Sequence, residues 1–419
     1  MPPLATGEMG AISAVRLLRQ VYPVAASKTI AMSERDVVLG RDPGQGGLKL
    51  DDGETSRRHA MISFDRRTQA HVLKDLDSSN GSFVDGSRVN EMRLGNGSVV
   101  RVGRSIFVYV SGALSPGSPF PLLKPGMSLA RALVEGVADR AARASLPILI
   151  YGPTGAGKER MAERIHEKSN RSGRLVSLNC GALSSELLGS ELFGHVKGAY
   201  SGAQGERGGL FASADGGTLF LDEIAELPSD QQPALLRACE TGCIRPVGAD
   251  RDMEVNVRLV AATHTDLDAA CEAGTFRTDL LARLRGITLR IPPLRERRDE
   301  ILSLFDEFVD GVPFGITVAE RLLMYTWPEN VRELKNLSQY VSLFAEQLGS
   351  IHPSHLPERI SPPSRSMETT GGPPDPQELE RLLTVYKGNV SQVAQALGVH
   401  RQQAYRWLSK AELDPSSYR

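Results

Sequence analysis

Residues 146–159 read LPILIYGPTGAGKE, an apolar run that breaks into glycines and a lysine just before the helical stretch ERMAERIHEK. Few folds accommodate this. An uninterrupted apolar run closed by glycine, Leu146 to Ile150, suits a strand buried on both faces, as in a parallel sheet flanked by helices. Gly152, Gly155 and Gly157 let backbone N–H groups turn toward phosphate oxygens at a helix N-terminus, and Lys158 follows at the G-x-x-x-x-G-K spacing of a phosphate loop. Pro153, Thr154 and Ala156 complete the loop; Glu159 stands where a magnesium-binding Ser or Thr is usual.

Two more apolar strands, in GGTLFLD and VRLVAAT, alternate with helical stretches, so the middle of the chain is predicted to be an α/β domain with a largely parallel sheet. Leu219 to Leu221 ends in Asp222 and Glu223. At the carboxyl end of a sheet strand, such a pair can hold magnesium through the aspartate and polarise an attacking water through the glutamate. Phosphate loop and acidic strand end occur together and in order, which favours an ATP- and Mg2+-dependent ATPase over an acidic helix start.

The chain has 419 residues, enough for about two to four domains by length alone. SGALSPGSPFP at 111–121 and SPPSRSMETTGGPPDP at 361–376 are rich in Pro, Gly and Ser, the composition of linkers. The expected organisation is a front unit at 1–110, a linker at 111–121, the α/β unit at 122–357, a linker at 358–375 and a tail at 376–419. Hydrophobic residues at 41% and charged ones at 24% indicate a globular protein, and a net charge of −1 leaves nucleic acid to a local patch. Cys180, Cys239, Cys243 and Cys271 lie in unlike contexts, which argues against a disulfide framework or zinc site and for a reducing cytoplasm. Arg16 and Arg19 break the apolar stretch near the start, so it does not read as a leader, and no run suits a membrane span.

The front unit alternates short β-rich runs (DVVLG, HAMISF, HVLKDL, GSFVDG, SVVRVG, SIFVYV) with turn clusters, predicting a β-sandwich. Gly40-Arg41, Ser56-Arg57-Arg58-His59 and Ser79-Asn80-Gly81 fall on its loops. Arginines beside a hydroxyl and an amide are what a phosphorylated side chain needs. In the tail, NVSQVAQALGVHRQQAYRWL places Val390, Val393, Ala394 and Leu397 on one helical face, breaks at Gly398 and resumes. That predicts an all-α helix-turn-helix, whose second helix reads the DNA major groove, in a segment of net charge +2.

The α/β unit resembles the bacterial enhancer-binding proteins, AAA+ ATPases that activate RNA polymerase carrying sigma-54. The blocks YGPTGAGKE, LNCGAL, ELFGHVKGAYSGA, ADGGTLFLDEI, VRLVAATHTDL, FRTDLLARL, PPLRERRDEI and WPENVRELKN carry the likeness. The resemblance implies that Asn179 relays nucleotide state to Glu223 and that Thr263 and His264 form the first sensor. It implies Arg277 and Arg283 as arginine fingers in a neighbouring subunit's site, and Arg332 as a lid sensor, hence a homo-oligomer from dimer to hexameric ring. Gly198, Ala199, Tyr200, Ser201, Gly202 and Ala203 occupy the loop that contacts sigma-54, with Tyr and Ser where the family carries Phe and Thr. An aromatic on a glycine hinge suits a contact formed in one nucleotide state, contributing roughly 1.5 to 3 kcal/mol when buried.

LGRD, SRRHA and DSSNGSFVDG resemble the forkhead-associated (FHA) domain, implying that Arg41, Ser56, Arg57 and Asn80 contact a phosphothreonine protein while His59 braces the site from within. A Ser/Thr kinase would write that signal. The tail resembles Fis-type helix-turn-helix domains, implying that His400, Arg401, Gln402, Gln403 and Arg406 face DNA, with Tyr405 and Leu408 packed inward. The expected function is a sigma-54-dependent activator; the alternatives are a DNA-binding regulator that does not remodel polymerase and a phosphopeptide scaffold with an idle ATPase.

Overall fold

The computed structural model describes residues 13–114, 123–124, 126–199 and 205–360, and parts of 376–418. Residues through Leu356 form one compact unit and those from Pro357 a second. The first unit contains a β-sandwich, a parallel sheet with helices, and a helical lid.

The sandwich strands are β1 (Ser13–Tyr22), β2 (Thr29–Ala31), β3 (Val37–Gly40), β4 (Leu48–Lys49), β5 (Ala60–Asp65), β6 (Ala70–Asp75), β7 (Ser82–Val84), β8 (Ser87–Val89), β9 (Glu91–Arg93), β10 (Val99–Val102) and β11 (Ser105–Leu114). One sheet runs β2-β1-β11-β10-β7-β8 and the other β4-β3-β5-β6-β9. Leu18, Leu39, Ile62, Leu73 and Phe107 fill the space between them. β1, where the sequence suggested only an interrupted apolar stretch, is the long partner of β11. Its central Arg19 is buried.

The parallel sheet contains β12 (Ile148–Tyr151), β13 (Leu175–Asn179), β14 (Thr218–Asp222), β15 (Arg258–Thr263) and β16 (Ile287–Arg290), in the order β13-β14-β15-β12-β16. Helix α1 (Leu129–Ala142) and helix α2 (Lys158–Lys168) cover one face, where Ile148, Ile150, Phe220 and Val260 pack with Ala138 and Ala162. On the other face Leu149, Leu219, Leu221 and Ala261 meet Leu188 and Leu192 of α3 (Ser185–Phe193), Leu235 of α4 (Gln232–Thr241) and Leu280 of α5 (Thr278–Leu284). Burial on both faces explains why these strands are continuous apolar runs. The lid consists of α6 (Arg298–Phe308), α7 (Ile316–Met324) and α8 (Asn330–Leu348).

In the second unit, α9 (Pro376–Val385) packs Leu379 and Leu383 against Val390, Val393, Ala394 and Leu408. Leu408 is buried as expected, whereas Tyr405 is 44% exposed and corrects the expectation that it packs inward. The four cysteines are free thiols, and burial pushes Cys180 and Cys239 up to about 12, so neither serves as a nucleophile at neutral pH. Among the described residues no helix is long and apolar enough to cross a membrane.

Candidate functional site

The phosphate loop leaves β12 and is closed by α2, whose N-cap is Gly157 at φ 103°. That left-handed backbone favours glycine. Gly155, at φ 73°, is needed for a second reason: a Cβ there would come within 2.2 Å of the Glu329 carbonyl oxygen in the lid. The lid also donates Val331 N–H to Gly155 O at 3.0 Å and Asn330 Nδ2 to Thr154 O at 2.9 Å. Arg332 follows, its Cβ against Gly155. A cavity of about 220 Å³, lined by Ala156, Gly157, Met161, Ile291, Arg297 and Val331 among others, opens beside the α2 terminus. A second, of about 660 Å³, includes Gly152, Pro153, Thr154 and His264 in its wall.

Lys158 is only 6% exposed and donates to Gly152 O at 3.2 Å and to Glu223 Oε1 at 3.0 Å. The other Glu223 oxygen lies 2.8 Å from His264 Nδ1. Glu223 therefore has both oxygens engaged, and its left-handed backbone (φ 50°) turns it from the end of β14 toward the loop. Burial opposes its ionisation, yet the bonds from Lys158 and His264 outweigh that and hold its pKa below the ordinary glutamate value. Asp222 moves the other way: burial raises its pKa against the pull of Lys158, and Glu223 and Glu159 add repulsion. Its Oδ1 accepts the Glu223 N–H at 3.0 Å.

Thr263 ends β15, fully buried, with Oγ1 accepting Thr265 N–H at 3.0 Å. Asn179 Oδ1 accepts Gly181 N–H at 2.9 Å, so in this conformation Glu223 is held by Lys158 and His264 and not through the expected Asn179 relay. The identity of the histidine signalled a sensor position, but nothing local to it pointed to Glu223, 41 residues earlier. Arg277 and Arg283 are exposed around α5, paired with Asp279 at 2.7 Å and Glu240 at 3.1 Å. Gly194–His195 pairs with Arg207–Gly208 in a short antiparallel ladder, where Ser190 Oγ lies 2.7 Å from His195 Nδ1, and residues 196–199 follow the first of these strands. Gly198 has φ 84° and Ala199 N–H donates to Val196 O at 3.2 Å; Tyr200, Ser201, Gly202 and Ala203 lie outside the described residues.

On the sandwich, Arg41 N–H donates to Ser56 O at 3.0 Å and Asp42 N–H to Arg57 O at 2.9 Å, bringing two arginine loops together. Gly40 permits this, because a Cβ would meet Arg57 O at 2.0 Å. Ser56 Oγ accepts Ser79 N–H at 3.2 Å, and Asn80 Nδ2 donates to Glu54 O at 2.7 Å. His59 lies beneath at 0% exposure. Its Nδ1 accepts Ser56 N–H at 3.1 Å, so the Nε2 proton donates to Gly81 O at 3.1 Å. Arg41, Arg57 and Asn80 remain exposed above it. In the tail, His400, Arg401, Gln402, Gln403 and Arg406 lie outside the described residues.

Three family models match consecutive parts of the chain: the FHA domain over residues 37–103, the sigma-54 interaction domain over 127–290 and an AAA+ ATPase lid domain over 295–372. The transcriptional regulatory protein GlrR of Escherichia coli (strain K12) is 38% identical over 292 residues, covering 66% of this chain and 65% of the relative. The C4-dicarboxylate transport transcriptional regulatory protein DctD of Rhizobium meliloti (strain 1021) is 38% identical over 324 residues, covering 73% and 67%. The chain thus spans about two thirds of the length of these curated relatives. A crystal structure of NtrX from Brucella abortus in complex with ATP superposes with a TM-score of 0.51 at 28% identity, covering 68% of each chain.

Proposed function

We propose, from the premise that this chain belongs to the family of transcriptional regulators built on a sigma-54 interaction domain, that it hydrolyses ATP to open promoters held by sigma-54 RNA polymerase. The carrying observation is the Lys158–Glu223–His264 cluster on the phosphate loop. Both Glu223 oxygens are occupied, so an incoming phosphate that draws Lys158 away releases Oε1 to polarise water while His264 keeps Oε2 oriented. Gly152, Thr154, Gly155, Ala156 and Gly157 cradle the phosphates, Thr263 and His264 sense them, and Arg332 closes from the lid. Arg277 and Arg283, exposed and held by surface carboxylates, reach a neighbouring protomer in a ring.

The site suits Mg2+ held mainly by nucleotide phosphates. No group of three protein ligands occurs among the described residues, and Asp222 is a single half-buried carboxylate whose raised pKa a nearby cation offsets. Asp222 would hold the ion, which when bound would supply charge neutralisation to the transferring phosphoryl group. Tyr200 engages sigma-54. Arg41, Ser56, Arg57 and Asn80 bind a phosphothreonine partner, and the tail, through His400, Arg401, Gln402, Gln403 and Arg406, binds an upstream DNA site.

The test is reconstitution: purified chain, sigma-54 polymerase and a promoter with an upstream site, with ATP or a non-hydrolysable analogue. Open complexes that require hydrolysable ATP support the proposal. A chain that hydrolyses ATP and binds DNA yet never opens the promoter is instead a regulator that does not remodel polymerase.

A further inference from the structure

Arg19 and Asp299 form a buried ion pair between parts of the chain that no sequence motif connects. Arg19, in the middle of β1, is 3% exposed, and Asp299, in the first turn of α6, is 5% exposed. Arg19 Nη1 lies 2.5 Å from Asp299 Oδ2 and 2.5 Å from the Met127 carbonyl oxygen. The same carboxylate accepts Leu129 N–H at 3.4 Å, and the adjacent Glu300 accepts Ser128 N–H at 3.2 Å. Sandwich, α1 N-terminus and lid thus meet at one guanidinium. A carboxylate so buried is tolerated only with a counter-charge, and here that charge comes from 280 residues away.

Other contacts surround this pair. Tyr22 Oη donates to Phe314 O at 2.9 Å, Arg101 pairs with Glu320 at 3.0 Å, and Arg298 donates to Gly97 O at 3.1 Å. On the far side, Arg297 donates to Ala156 O in the phosphate loop at 3.1 Å and pairs with Glu300 at 2.8 Å. The lid also rests on the loop through Asn330 and Val331. On the ATPase reading above, a nucleotide entering or leaving between loop and lid would move the lid against the α/β domain, and Arg19 bonds both Met127, just before α1, and Asp299 in the lid.

We propose that the FHA domain is a bracket across the hinge between ATPase and lid, closed by the Arg19–Asp299 pair, and that it restrains nucleotide release and turnover. The proposal rests on the ATPase reading above and adds to it the site and sign of control by the front domain. Contacts lead from the peptide loops toward the bracket: Asn80 Nδ2 donates to Glu54 O at 2.7 Å. Arg104, in the β10–β11 turn, pairs with Glu54 at 2.8 Å, and β11 then pairs with β1 in the register Val108↔Arg19.

The experiment uses the full chain carrying Arg19→Met with Asp299→Leu, which removes both charges and strands neither. Dissociation of a fluorescent ADP analogue, amide exchange over residues 298–308 and ATP turnover are compared with the parent. Release and exchange accelerate by at least about fivefold, the lower end of ordinary coupling between sites, and turnover rises with them. Arg298→Met is a second variant that leaves the buried pair intact; it accelerates release by a smaller factor, and it reads the bracket if the double variant does not fold. Release and exchange unchanged from the parent in the folded variants overturn the proposal. Faster release in a chain whose parent never hydrolyses ATP leaves the bracket standing and removes the ATPase reading instead.

Discussion

The proposed nucleotide site and the proposed peptide site of this chain both collect cations, and they hold those cations in opposite ways. Lys158 is buried and already paired with the Glu223 carboxylate, itself held by His264. Arg41 and Arg57 stand exposed on loops fixed by backbone bonds and by the His59 ring underneath. On the proposed function, the first arrangement breaks an internal ion pair before chemistry begins, so occupancy would change the positions of the catalytic groups. The second needs no rearrangement and suits a reader. An internally satisfied site makes a switch, and an exposed, braced one makes a receptor.

The largest effect that separates the two is at Lys158. Lys158→Ala lowers ATP turnover by roughly 10²-fold or more, the scale of losing a fixed charge on the transferring phosphate, with phosphopeptide affinity unchanged. Turnover rates and peptide titrations of one preparation check it. Next, Arg57→Ala weakens a phosphothreonine peptide by about tenfold to a hundredfold, as expected for a charge-assisted contact, and leaves affinity for a nucleotide analogue unchanged. Equal losses at both sites in either variant break the comparison.

A smaller effect comes from the brace. His59→Ala leaves Ser56 N–H and Gly81 O without their buried partner, so the sandwich loses roughly 1 to 3 kcal/mol in chemical denaturation. The smallest is at Asp75. Burial opposes its ionisation, but bonds from Ser82 and Ser78 prevail and keep its pKa below the ordinary aspartate value. A depressed carboxylate contributes stability above its unfolded pKa and loses it as the pH falls through the folded one. Acid titration of unfolding shows that loss, and Asp75→Asn flattens it.

Short motifs made much of this molecule readable. Gly155, Gly157 and Lys158 lie together in sequence because a helix start cradles phosphate locally, and Asp222 and Glu223 end one strand. The front loops were legible for the same reason: Ser56 to His59 supplies both a surface arginine, Arg57, and the buried brace. Arg19 and Asp299 were not legible, because a buried pair formed across 280 residues leaves no local signal. Arg19 looked like an interruption in an apolar stretch, and Asp299 like one acid in RRDEI. The engagement of Glu223 by His264, and not through Asn179, depends on side-chain conformation, which residue identity does not encode. Tyr405 was misread because its helical spacing suited a core that Leu408 and Val393 occupy.

The most direct test of coupling between nucleotide and polymerase is Tyr200→Ala, with ATP turnover and open-complex formation at a sigma-54 promoter measured in the same reaction. The account predicts turnover within about twofold of the parent and open complexes reduced by at least about tenfold, the loss of an aromatic contact worth 1.5 kcal/mol or more. Open complexes forming at the parental rate would contradict it.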